Sequence, residues 1–132
     1  MAATSLVLDI IQIKCPKQYV SKYQRKTFQL YWQHESTSVN TGNAILNGNG
    51  EALWKGNLTL NLKDINDSIK TVKTTLKLYY MDDNSDDKHL IDTNDVSFKL
   101  INQTENHSFI FKQKNVNNDI SFMVKTLITI NA

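Results

Sequence analysis

Apolar and polar side chains alternate one for one along most of this 132-residue chain. Phe28, Leu30 and Trp32 alternate with Gln29, Tyr31 and Gln33, and Val72, Thr74, Leu76, Leu78 and Tyr80 alternate with Lys73, Thr75 and Lys77. Trp54, Leu58, Leu60 and Leu62 share one parity, while Lys55, Asn57, Thr59, Asn61 and Lys63 take the other. Successive side chains of a strand point to opposite faces, so each run predicts a strand with one face in the core and one in water. Leu6 to Ile13 is apolar almost throughout and rich in β-branched residues, which predicts a strand buried on both sides for part of its length. Val96, Phe98 and Leu100, then Phe109 to Phe111, then Ile120, Phe122, Val124, Ile128 and Ile130 predict three more. Ser36 to Val39 reads as a short edge strand, and Leu90-Ile91 as a separate apolar pair.

The breaks between these runs have their own chemistry. Pro16 lacks a backbone donor and biases Cys15 away from helical geometry, so a loop is expected from Cys15 to Lys26. Asn47-Gly48-Asn49-Gly50 is the strongest turn signal, because Asn-Gly tolerates the positive φ angles of a tight hairpin. Gly56, on the apolar side of its strand, marks a bulge or a close backbone approach. Polar connections are expected at 64–68, 102–106 and 114–119, and Met81 to Lys88 reads as an exposed acidic loop. Seven or eight strands with one polar face each, and no long amphipathic helix, predict an all-β fold. The expected architecture is a seven- or eight-stranded antiparallel β-sandwich forming one domain over residues 1–132, with a barrel as the alternative that patterning does not separate.

Composition adds bounds rather than a mechanism. The chain is 40% hydrophobic and 21% charged, as expected of one globular core. Its net charge of +2 argues against a nucleic-acid partner. The charge is unevenly spread: residues 1–35 carry an excess of three positives, and residues 82–95 set six aspartates against Lys88. Cys15 stands alone, so no disulfide framework is expected. The start of the chain has no basic run before its apolar stretch, and nothing approaches the ~18 apolar residues of a spanning helix. A cytoplasmic location, peripheral at a membrane or on an intracellular assembly, fits best. Glycosylation triplets begin at Asn57, Asn66, Asn102 and Asn106, and so much asparagine produces them by chance.

The order and spacing of the strands resemble a C2 domain, an eight-stranded antiparallel β-sandwich. The Leu6 to Ile13 strand is similar to the family's first. Glu51 to Leu62 resembles its tryptophan just before an alternating strand. Leu76 to Asp83 resembles the strand that runs into an acidic apical loop, and Leu90-Ile91 with Val96 to Leu100 resembles the short apolar pair and strand beyond that loop. In the family, calcium is held by aspartates from two loops at one end. Asp82, Asp83, Asp86 and Asp87 match one such loop, but Cys15 to Lys26 holds no acid and is basic instead. Calcium wants about six to eight oxygen ligands, so the resemblance implies a divergent, calcium-independent member that binds membranes or proteins.

The candidate surfaces are therefore a basic one at Lys17, Lys22, Arg25 and Lys26, and an acidic one at Asp82, Asp83, Asp86 and Asp87. The first suits anionic phospholipid or an acidic protein, with Tyr19 and Tyr23 among its charges. His34, His89 and His107 lack ligand spacing and read as surface residues, and Trp32 and Trp54 read as packing residues. No phosphate loop, nucleophile elbow or metalloprotease array occurs, so no catalytic residue, metal site or cofactor is expected. The expected role is a non-catalytic scaffold or adaptor for a protein partner, joined by calcium-independent association with anionic membranes. A viral or lectin-like β-sandwich recognising a carbohydrate or extracellular ligand is the alternative. The sequence leaves homo-oligomerisation open.

Overall fold

A computed structural model describes residues 4–62, 65, 68, 70–83, 85–114 and 118–132. The polar connection at 64–68 and the Asn66 triplet thus fall largely outside the described residues, as does the middle of the 114–119 connection. Ten strand segments form two antiparallel sheets. In the first sheet, β1 (Thr4–Lys14) pairs with β10 (Ile120–Asn131), and β9 (Gln103–Gln113) lies beyond β10. The other side of β1 is shared by β5 (Glu51–Leu53) and β6 (Leu58–Leu62). In the second sheet, β2 (Thr27–His34) pairs with β7 (Thr71–Met81), which pairs with β8 (Lys88–Lys99). The free side of β2 is shared by β3 (Thr37–Asn40) and β4 (Ala44–Ile45). Each sheet is thus four positions wide, and the open edges make it a sandwich rather than a barrel.

The alternating positions do what their parity predicts. Phe28, Leu30, Trp32, Leu76 and Leu78 from one sheet meet Leu6, Leu8, Leu60, Phe122 and Val124 from the other in one buried core. Both tryptophans are buried with their indole donors satisfied. Trp54 Nε1 donates to the Phe28 carbonyl at 3.1 Å across the layers, and Trp32 Nε1 donates to Thr74 Oγ1 at 3.0 Å. Thr74 Oγ1 passes its own proton to the Val96 carbonyl at 3.0 Å, so this polar pair is closed within the core.

Several local expectations change. Leu6 to Ile13 is apolar on both parities because β1 switches phase, not because both its faces are buried. The register shifts between Asp9 and Gln12, so Leu6 and Leu8 point inward before the shift and Ile11 and Ile13 after it. Ile10 is the extra residue, at φ 49° and 62% exposed. The Asn47–Gly50 turn is tight, with Gly50 N–H donating to the Asn47 carbonyl at 3.0 Å, but it is not a hairpin. It carries the chain from β4 in one sheet to β5 in the other. Gly56, at φ 80°, sits in the break between β5 and β6.

Leu90-Ile91 and Val96–Lys99 belong to one continuous strand, β8, which ends just before Leu100 and whose register shifts opposite Leu78 and Tyr79. Its polar middle closes an edge. Asn94 Nδ2 donates to the Ile110 carbonyl at 2.9 Å, and Asp92 Oδ2 accepts from the Lys112 amide at 2.8 Å. The side chains of one edge strand therefore satisfy the backbone of the other, which is why polar residues sit inside a strand here. The polar stretch expected to be a turn at 102–106 is mostly strand, since β9 begins at Gln103. Edge strands at a sandwich rim tolerate polar residues on both faces, and that hides them from a period-two reading.

The two constrained glycines separate backbone strain from steric contact. A methyl group at Gly50 (φ 77°) would lie 2.6 Å from Val20 Cγ2 and 2.9 Å from the Cys15 carbonyl, while at Gly56 it would meet nothing within 4 Å. Gly56→Ala is expected to cost only the left-handed backbone term, about 1–2 kcal/mol. Gly50→Ala adds overpacking of about 1–3 kcal/mol. Urea unfolding midpoints at equal slope measure both, and equal losses would contradict the proposed contact.

Candidate functional site

Pro16 starts the connection from β1 to β2, and the next residues coil instead of extending. Lys17–Tyr19 form one turn of 3-10 helix and Val20–Tyr23 a single α-helical turn, α1. Four residues are too few for a helical period to show in the sequence, so the segment reads there as plain loop. The turns place Tyr23 under the sheets and keep Lys17, Lys22 and Arg25 outside. The Tyr23 ring packs edge-on against Phe122 of one sheet (centroids 5.0 Å apart) and Tyr80 of the other (5.7 Å), with Phe28 at 6.1 Å. Desolvation, reinforced by neighbouring Tyr80, pushes the Tyr23 phenol up to about 12. Burial also raises the Cys15 thiol to about 11, which keeps it protonated and unreactive at neutral pH.

Lys26 ends the segment, and its ammonium has three partners. It lies 5.1 Å from the Tyr80 ring centre and 5.9 Å from that of Tyr23, and it hydrogen-bonds to Asp82 Oδ1. Lys22 lies over the outer part of the same site, 5.5 Å from the Tyr23 ring centre. The second carboxylate oxygen of Asp82 is 3.5 Å from His89 Nε2, and the His89 ring stacks on Tyr80 at 4.9 Å and 25°. The Lys26 hydrogen bond and charge, with a smaller contribution from His89, hold the Asp82 carboxyl below its ordinary value of 3.8.

The basic and acidic segments therefore meet at one end of the sandwich, with Lys26 and Asp82 in direct contact. Arg25, Asp82, Asp83 and Asp86 line a shared groove of about 550 Å³ on the flank of the second sheet, with Gln29 and Ile45. Lys17 and Lys22 lie outside that lining, on the helical turns. Asp87 is exposed, and its amide donates to Ser85 Oγ at 3.2 Å. Among the described residues, no three His, Cys, Asp or Glu side chains converge as a metal-ligand set. His89 and Tyr80 are the participants that sequence reasoning missed, and Tyr23, expected among the charges of the basic surface, is instead buried beneath them. The only available signal for His89 was hairpin register, since the acidic loop joins β7 to β8 and pairs Tyr80 with His89.

No family model and no curated protein matches the sequence. Solved structures match it nonetheless. One described simply as a C2 domain superposes with a TM-score of 0.66 at 11% identity, covering 98% of this chain and 99% of that one. The chain has the C2 fold. The C2A domain of plant Extended Synaptotagmin 1 matches with a TM-score of 0.61 at 8% identity, over 98% of this chain and 94% of that one. A CC2D1B structure matches at 0.65 and 9% identity, and this chain spans 55% of its length. The resemblance read from strand order is therefore borne out for the fold. Among the described residues no helix is long and apolar enough to cross a membrane.

The ion pair has a defined pH signature. Because the folded Asp82 carboxyl is held below 3.8, its contribution is complete above the unfolded value and is lost as pH falls through the folded one. Wild type is expected to melt above Asp82→Asn at about pH 6, and the gap between the two midpoints is expected to narrow as the pH falls below about 4. A gap that stays constant down to about pH 2 would contradict the pairing.

Proposed function

We propose that this chain is a non-catalytic adaptor domain, one C2-like unit over residues 1–132, that recognises anionic phospholipid surfaces without calcium while serving a protein partner. The single observation that carries the reading is the Lys26–Asp82 pair. The acidic loop offers its first carboxylate to a tethered ammonium, and the facing loop supplies cations where calcium chemistry needs oxygen ligands. Lys17, Lys22 and Arg25 remain exposed beside it, which suits a phosphate-bearing surface at the cytoplasmic side of a membrane. The adaptor half of the reading draws on the fold match to CC2D1B, described as coordinating ESCRT-III activity during the mitotic reformation of the nuclear envelope.

Vesicle flotation tests the reading directly. The protein is expected to float with phosphatidylglycerol-containing vesicles at low salt, equally in calcium and in chelator, and to stay behind with phosphatidylcholine alone. Each basic residue near an anionic surface contributes about 1 kcal/mol, so Lys17→Glu, Lys22→Glu and Arg25→Glu together should weaken binding by at least about 100-fold. Binding that appears only with calcium, or no binding to anionic vesicles at any salt, would overturn it.

A further inference from the structure

The two loops that meet at the apical end are nearly balanced in charge. Lys17, Lys22, Arg25, Lys26 and Lys88 set five cations against the four carboxylates of Asp82, Asp83, Asp86 and Asp87. One added proton would double the net positive charge of this surface, and His89 is placed to take it. Its Nε2 is 3.5 Å from Asp82 Oδ2 and its ring is stacked on Tyr80, so its position is fixed from two sides. The charged and titratable groups around it are Asp82 and Tyr80 from β7 and the loop after it, Lys26 and Tyr23 reached through the Tyr80 ring, and Lys88 beside it in β8. His34 and His107 lie elsewhere: His34 ends β2, and His107 pairs with Glu105 on β9 at 3.2 Å.

We infer that His89 makes the apical surface acid-responsive, strengthening its attraction to anionic phospholipid when the imidazole is protonated; this inference rests on the anionic-lipid reading above. Histidine is the side chain whose charge ordinarily changes between about pH 5 and 8. Protonation does two things here. It adds a cation beside Asp82, and it gives that carboxylate a second charged partner, which loosens its hold on the Lys26 ammonium. Both effects turn positive charge outward. The lysine and the imidazole come from different segments of the chain, so the response depends on the folded end and not on a linear motif.

The experiment compares flotation of wild type and His89→Gln with phosphatidylglycerol-containing vesicles at about pH 7.5 and about pH 5.5. One extra charge near an anionic surface predicts roughly five-fold tighter binding of wild type at the lower pH. His89→Gln should match wild type at the higher pH and lose most of the gain on acidification. Asp82→Asn, which frees Lys26 without acid, should bind more tightly than wild type at the higher pH. Wild type that binds equally at both pH values would overturn the inference and leave the lipid reading standing. A full acid response retained in His89→Gln would overturn it as well, by assigning the response to another group. Absence of binding at either pH would overturn the lipid reading and the inference together. His89 is exposed, and matched melting curves for the variant and wild type exclude misfolding as the cause of a lost response.

Discussion

Tyr23 is the one side chain of the basic segment that reaches both sheets. It meets Phe122 of the first and Phe28 and Tyr80 of the second, and it is 2% exposed. Burying an aromatic ring contributes about 1.5–3 kcal/mol, enough to hold a short helical turn that has little stability of its own. Lys22 and Lys26 both lie over the Tyr23 ring, and Lys26 extends from there to Asp82. The aromatic floor is thus continuous from the core to the apical charges.

That continuity lets opposite charges meet at one end of the sandwich. Attraction between an ammonium and an aromatic face is worth about 0.5–1 kcal/mol when exposed and more when desolvated. The Asp82 carboxylate adds a direct ion pair, and Tyr80 lies under both Lys26 and His89. Surface pairs of this kind stabilise a fold only weakly. Their consequence is electrostatic: a loop of aspartates that would repel an anionic surface is partly neutralised from within, while the remaining cations stay exposed.

The fold was legible wherever a strand has one wet and one dry face. Phe28 to Trp32 and Val72 to Leu78 need no structure to be read. The phase switch at Ile10 was not legible, because a bulge merges two alternations into one run that is apolar on both parities. The continuity of β8 from Leu90-Ile91 to Val96 was hidden for a different reason: Asp92 and Asn94 sit within the strand to satisfy a neighbouring strand's backbone, a task that polarity alone does not announce. At the candidate site, residue types and their charge asymmetry were visible, and so was the missing acidic counterpart in the facing loop. The pairing of Lys26 with Asp82 was not, since the two are 56 positions apart and meet only through sheet packing. His89 was read as a surface residue and is exposed, but its place at the site was not legible, because a lone histidine carries no spacing signal and only the β7–β8 register brings it to Tyr80.

In the proposed reading, the Lys26 ammonium fills, for Asp82, the electrostatic role a bound cation would otherwise take. Calcium titration by calorimetry, performed on wild type in low-salt neutral buffer, tests it most directly. The account predicts dilution heats only, with no saturable binding and no rise in melting temperature at millimolar calcium. A saturable heat accompanied by calcium-dependent stabilisation would contradict it.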